Sequence, residues 1–202
     1  MRPDGNSVAP LRVIVGGGIG SGKSTVLQLL AGMGAVVIEA DRIGHEVLEP
    51  GGPAYDKVAE RWPSVVVEGR IVRSLLAAIV FSDAEQLALL ESLIHPAIRD
   101  EIAGRVAAAG DQDVALELPL KSDLAGPGWT RIVIDAPAPQ RIRRAVARGM
   151  PEEDAASRLA VQPDREQWLF GADLVIDNSG SLEDLEAAVA QAWERLKEES
   201  NG

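Results

Sequence analysis

Apolar and polar positions along this chain follow two rhythms. Short, mostly apolar runs at residues 11–15, 35–39, 113–118, 131–135 and 172–176 are β-branched-rich and closed by glycine, proline or acidic residues. Runs of this length and composition are expected as buried strands, apolar on both faces as in a parallel sheet. Between them the apolar residues fall at helical spacing. The pattern predicts helix from Thr25 through Leu30, stopped at Gly32-Met33-Gly34, and a turn or two over 43–48. It predicts further helices over 54–62 with Tyr55, Val58 and Trp62 on one face, and over 73–81 with Leu75, Leu76, Ile79 and Val80 inward. A longer helical region from Asp83 to about 109 carries a Leu87, Leu90, Leu93, Ile94 stripe, which His95-Pro96 is expected to kink or break. The late chain reads as helices over 140–148, from Pro151, from Pro163, and over 182–196, the last preceded by a Ser181-x-x-Asp184 capping box. Five strands alternating with helices predict an α/β fold with a five-stranded parallel sheet, and residues 43–109 read as a helical insertion between its second and third strands.

The first strand runs into Gly16-Gly17-Gly18-Ile19-Gly20-Ser21-Gly22-Lys23-Ser24-Thr25, and counting from Gly17 gives G-x-x-x-x-G-K-S. The order strand, glycine-rich loop, helix is what a phosphate-binding loop requires. Glycines let backbone N–H groups converge on phosphate oxygens, and the helix that follows turns its positive dipole end toward the same anion. Residues 18–25 are therefore the expected nucleotide-binding residues, with Lys23 on the β- and γ-phosphates and the Ser24 hydroxyl on Mg²⁺.

Composition narrows the partners. The chain has 202 residues, 46% hydrophobic and 25% charged, with a formal charge of −11, which disfavours nonspecific nucleic-acid or anionic-membrane binding. Cysteine is absent, which excludes disulfides and thiolate metal sites and fits a cytoplasmic location. No apolar run is long enough to span a membrane. Residues 1–10 are polar and read as a flexible leader.

Beyond the loop, Glu39-Ala40-Asp41-Arg42-Ile43, Ile94-His95-Pro96, Leu118-Pro119-Leu120, Gln140-x-x-Arg143, residues 148–155, Arg158-x-x-x-Gln162 and Ala172-Asp173…Asn178-Ser179-Gly180 complete a pattern that resembles the dephospho-CoA kinase family over residues 11–196. The resemblance implies a single P-loop kinase domain with its core at 11–42, 110–140 and 170–196, a helical acceptor region at about 43–109 and a lid at about 148–166. It implies MgATP-dependent phosphorylation of the ribose 3′-hydroxyl of dephospho-CoA by a monomer or weak homo-oligomer.

Asp41, just past strand two, is the candidate to take or orient the acceptor proton, its alternative role being a helix N-cap. Glu117 is the candidate to hold a Mg²⁺-bound water, or is a solvated strand end. Arg148 and Arg158 would close on phosphates from the lid, or lie on a solvated helix face. His95 and Pro119 would line the acceptor site, His95 otherwise being a polar residue at a helix break. Where the family has Asp-Ala-Asp this chain has Glu39-Ala40-Asp41, where it has Thr-Gly-Gly this chain has Gly16-Gly17-Gly18, and Lys121 stands where an apolar residue is usual. A kinase of the same build with another acceptor, or an ATP-binding regulatory protein without turnover, are the alternative readings.

Overall fold

A computed structural model describes residues 9–118 and 122–200; Pro119 and Lys121 lie outside these, as do residues 1–8 of the leader. The chain divides into two compact units. Of the described residues, the larger unit holds 9–38, 109–118, 122 and 126–200, and the smaller holds 39–108 and 123–125.

The chain starts with β1 (Arg12–Gly16), α1 (Lys23–Gly32) and β2 (Val36–Glu39). The smaller unit follows with α2 (Ala40–Glu46), α3 (Tyr55–Arg61), the strands β3 (Val66–Val67) and β4 (Arg70–Ile71), α4 (Arg73–Val80) and α5 (Ala84–Ala109). The rest comprises β5 (Val114–Glu117), β6 (Thr130–Asp135), α6 (Ala138–Ala147), α7 (Glu152–Ala160), α8 (Arg165–Leu169), β7 (Leu174–Asp177) and α9 (Leu182–Ser200).

The five expected strands form one sheet in the order β2-β5-β1-β6-β7. β1 lies between β5 and β6, parallel to both, with Val15 opposite Glu117 and Gly16 opposite Val133. β6 in turn pairs parallel with β7. Side chains alternate across β1. Leu11, Val13 and Val15 join a cluster with Val26, Leu27 and Leu30 of α1 and Leu185, Val189 and Trp193 of α9. Ile14, also buried, points to the opposite face. This sheet, buried on both faces, holds the loop after β1 at the carboxyl edge, where ligands bind in open α/β sheets.

In the smaller unit Val58, Trp62, Val65, Leu76, Val80 and Leu90 form a separate core, with Leu87, Leu93 and Ile94 packed against it. The apolar stripe expected on the long helix is thus the face that makes this core. The indole N–H of Trp62 donates to Gln86 Oε1 at 3.0 Å, so its one polar atom is satisfied.

Two local expectations are corrected. Pro96 does not break the helix, because α5 runs without interruption from Ala84 to Ala109. Pro96 is exposed while Leu90, Ile98 and Ile102 are buried, so the apolar face keeps its phase past the proline. The hydrogen bond that proline removes belongs to the carbonyl of exposed Ser92, on the wet side of the helix. Asp41 is not an N-cap. The cap position of α2 is Glu39, and Asp41 lies inside the first turn, where a carboxylate complements the helix dipole. The capping box of α9 forms as expected: the Asp184 N–H donates to Ser181 Oγ at 3.1 Å, and Ser181 N–H donates back to Asp184 Oδ2 at 2.9 Å.

Candidate phosphate-transfer site

The glycine-rich segment folds as a tight loop between β1 and α1. Gly20 (φ 71°) and Gly22 (φ 106°) hold left-handed conformations that side chains rarely adopt. Gly22 occupies the cap position of α1, no side chain caps that helix, and no acidic residue stands in its first turn. The leading N–H groups of α1 are therefore directed at the loop's concavity with the dipole behind them, a site made for an anion.

Lys23 reaches back over the loop. Its Nζ donates to the carbonyl oxygens of Gly17 at 2.9 Å and Gly18 at 3.4 Å, and lies 3.8 Å from Glu117 Oε1. Glu117 ends β5 beside β1, so the register of the two strands delivers this carboxylate to the lysine. Ser24 stands exposed on the first turn of α1, and the Glu117 side chain is half-buried.

Helix α6 splints the loop from the other side. Arg141 Nε donates to the Ile19 carbonyl at 2.8 Å. One turn later, Arg144 donates to Asn178 Oδ1 at 3.2 Å, and Asn178 Nδ2 donates to the Ser21 carbonyl at 2.7 Å. A Cβ on Gly20 would stand 2.1 Å from the carbonyl oxygen of Arg141, and one on Gly22 would stand 2.1 Å from Asn178 Nδ2. These glycines are thus required by neighbours as well as by conformation. Burial pushes the Arg141 guanidinium below its ordinary pKa, and the charge of Asp135 acts against this.

Two clefts flank the loop. One, of about 340 Å³, is lined by Gly18, Ser21, Asp135, Arg141, Gln162 and Trp168 among others. The second, of about 400 Å³, is lined by Gly20, Gly22, Thr25, Arg144, Arg148 and Asn178, with Leu182 and Leu185 forming an apolar wall.

The structure therefore brings together residues 18–25, Glu117 and Arg148 from the sequence-derived set. Arg158 stands exposed in the last turn of α7. Asp41, exposed in α2, and His95, half-buried in α5, belong to the smaller unit. Arg141, Gln162 and Asn178 were not singled out by sequence as site residues. Gln162 and Asn178 did lie within the spaced motifs, whereas Arg141 was one of several arginines on a basic helix.

A strand, glycine-rich loop and helix with Lys-Ser-Thr at the turn, on a parallel sheet of this strand order, define the P-loop kinase class. Comparison with known proteins agrees on the class and narrows it. A family model described as dephospho-CoA kinase matches residues 11–184, and the chain belongs to that family. A dephospho-CoA kinase of Thermobifida fusca is 42% identical over 193 residues, covering 93% of this chain and 96% of the relative. The crystal structure of TT1252 from Thermus thermophilus, 34% identical, superposes with a TM-score of 0.82 over 93% of this chain and 98% of that one. A dephospho-CoA kinase structure from Campylobacter jejuni, 24% identical, shares the fold with a TM-score of 0.68 over 92% of this chain and 96% of that one.

Proposed function

We propose that the protein transfers the γ-phosphoryl group of ATP to the ribose 3′-hydroxyl of dephospho-CoA, giving coenzyme A and ADP. The observation that carries this reading is the phosphate loop, with Lys23 and Glu117 set against it, in a chain that matches the dephospho-CoA kinase family along nearly its whole length.

Phosphoryl transfer asks a protein for alignment and charge neutralisation more than for covalent work. The N–H groups at the start of α1 and the Lys23 ammonium would hold the β- and γ-phosphates. Lys23 now satisfies its charge on loop carbonyls, which it can exchange for phosphate oxygens by a side-chain rotation. Ser24 and Glu117 would hold Mg²⁺. The donor set fits that ion: one hydroxyl and one carboxylate are hard oxygen ligands. Mg²⁺ is bound through few protein ligands, with phosphates and water completing its shell, and when bound it neutralises charge on the transferring group.

Asp41 would accept or orient the proton of the ribose hydroxyl, and His95 and Pro119 would contribute to acceptor binding. Arg158 and Arg148 would bear on the phosphates as the 148–166 segment closes, excluding water that would otherwise hydrolyse ATP. The apolar-walled cleft with Arg148 and Asn178 suits the nucleoside of the donor. A panel of acceptors tests the assignment. Dephospho-CoA should exceed nucleoside monophosphates in kcat/KM by orders of magnitude. Asp41→Asn should lower kcat by about 10²–10⁴-fold with ATP affinity kept. Equal rates with nucleoside monophosphates, or an Asp41→Asn enzyme of full activity, would contradict the proposal.

A further inference from the structure

The peptide of Ile19, at the tip of the phosphate loop, is held from both sides. Its N–H donates to Gln162 Oε1 at 3.0 Å, and its carbonyl accepts from Arg141 Nε at 2.8 Å. Arg141 Nη2 also donates to the same Gln162 oxygen, at 2.6 Å. The three groups close a ring of hydrogen bonds. Its geometry is tight: a Cβ on Gly18 would lie 1.8 Å from Arg141 Nη2 and 2.7 Å from Gln162 Oε1, so a side chain there would have to displace the ring.

We infer that Gln162 and Arg141 are positioning residues, which shape the phosphate loop for the donor triphosphate and fix the segment after α7 against it. The inference rests on the reading of ATP as donor. Two features favour a brace over a blocking contact. The peptides that face an anion at the start of α1 follow Gly22 and are uncapped, whereas the one peptide Gln162 engages lies three residues earlier. Arg141 is a partly buried charge, and such a charge is kept where its partners stay satisfied. The ring supplies those partners from the loop and from Gln162 together. It also gives the residues between α7 and α8 a reason to sit where they do. Their anchor is the loop that the donor occupies, so donor binding and the placement of this segment stabilise each other.

Among the described residues, Gln162 engages this ring through its oxygen, which makes a sharp test possible. Gln162→Met has similar size and removes the acceptor, and Gln162→Glu keeps it. Gln162 is half-exposed, so both variants should fold, as thermal melts would verify; Gln162→Asn, one methylene short, gives an independent variant that also loses the contact. Affinity for a non-hydrolysable ATP analogue with Mg²⁺ is measured by calorimetry, alongside steady-state kinetics.

Gln162→Met and Gln162→Asn should weaken the analogue and raise KM for ATP about tenfold, the scale of one lost hydrogen-bonded brace. They should leave kcat within about threefold and KM for dephospho-CoA unchanged. Gln162→Glu should stay within about threefold of the parent in all three. The double variant Arg141→Met/Gln162→Met should be no weaker than the poorer single, because the ring is already open. Unchanged analogue affinity in Gln162→Met, a Gln162→Glu enzyme as weak as Gln162→Met, or strictly additive losses would overturn the inference while leaving the kinase reading intact. A parent enzyme that fails to bind the analogue would overturn both.

Discussion

Gly20 shows how single residues carry this account. Its φ of 71° is one strain for any side chain, and a Cβ there would sit 2.1 Å from the Arg141 carbonyl oxygen as well. Gly34 has a φ of 94° but open space around the missing Cβ. Comparing the two substitutions separates conformation from contact. Gly34→Ala should cost about 1–2 kcal/mol of stability, read by chemical denaturation, and leave ATP affinity unchanged. Gly20→Ala has that cost and must also push α6 off the loop, so ATP affinity should fall at least about tenfold. Equal ATP affinity in the two variants would mean that α6 does not shape the loop. At this scale the sequence was most informative where chemistry is local. The loop could be read because its meaning lies in ten consecutive residues. The brace could not, because Ile19 and Gln162 are 143 residues apart, and Arg141 and Ile19 are 122 apart. Nothing in the spacing of the three arginines on α6 says which one turns toward glycines near the other end of the chain.

Helix α5 illustrates the same limit for elements. Its stripe of Leu87, Leu90, Leu93 and Ile94 was legible, and it packs as expected. The break at His95-Pro96 was not found. Local propensity disfavours proline within a helix, but the apolar face continues through Ile98 and Ile102, and tertiary packing outweighs one missing hydrogen bond. The strands β3 and β4 are not among the five expected strands, since two residues on each are too few to show a period. The same helix is tied to α2 by charge. Glu46 of α2 accepts from Arg105 of α5 and from Arg42 at 2.9 Å, and Arg105 also holds Glu101 at 2.9 Å. The Arg105 hydrogen bond, with Arg42 assisting and desolvation opposing, keeps the Glu46 carboxyl below the ordinary carboxylate range. A depressed carboxylate contributes stability above its unfolded pKa, and that contribution is lost as pH falls through its folded value. Glu46→Gln should therefore lower the free energy of unfolding at pH 7, read from chemical denaturation, by under about 1 kcal/mol for so exposed a network. The difference from the parent should shrink as the pH falls below the ordinary carboxylate range and through the lowered folded pKa, where the parent's own carboxyl takes up its proton. A difference that grows on acidification would refute the assignment.

For the whole molecule, the chain divides into two compact units, each with its own core. The larger carries the phosphate loop on a sheet buried on both faces, with Trp193 of α9 and Val26, Leu27 and Leu30 of α1 closing one side. Rigid support of that kind suits a loop whose backbone must be preorganised for charge. The smaller unit, 39–108 with 123–125, has its own core and carries Asp41 and His95. The α/β class, the five strands and their order of succession were legible in the alternation of apolar runs and helical stripes, because each is a period within a short window. Acceptor-dependent phosphoryl transfer is read as ADP release from MgATP, coupled to a reporter, with and without dephospho-CoA. The account predicts little ADP without dephospho-CoA, a large rise with it, and coenzyme A phosphorylated at the ribose 3′-oxygen as the product. ADP formation that dephospho-CoA does not stimulate would contradict it.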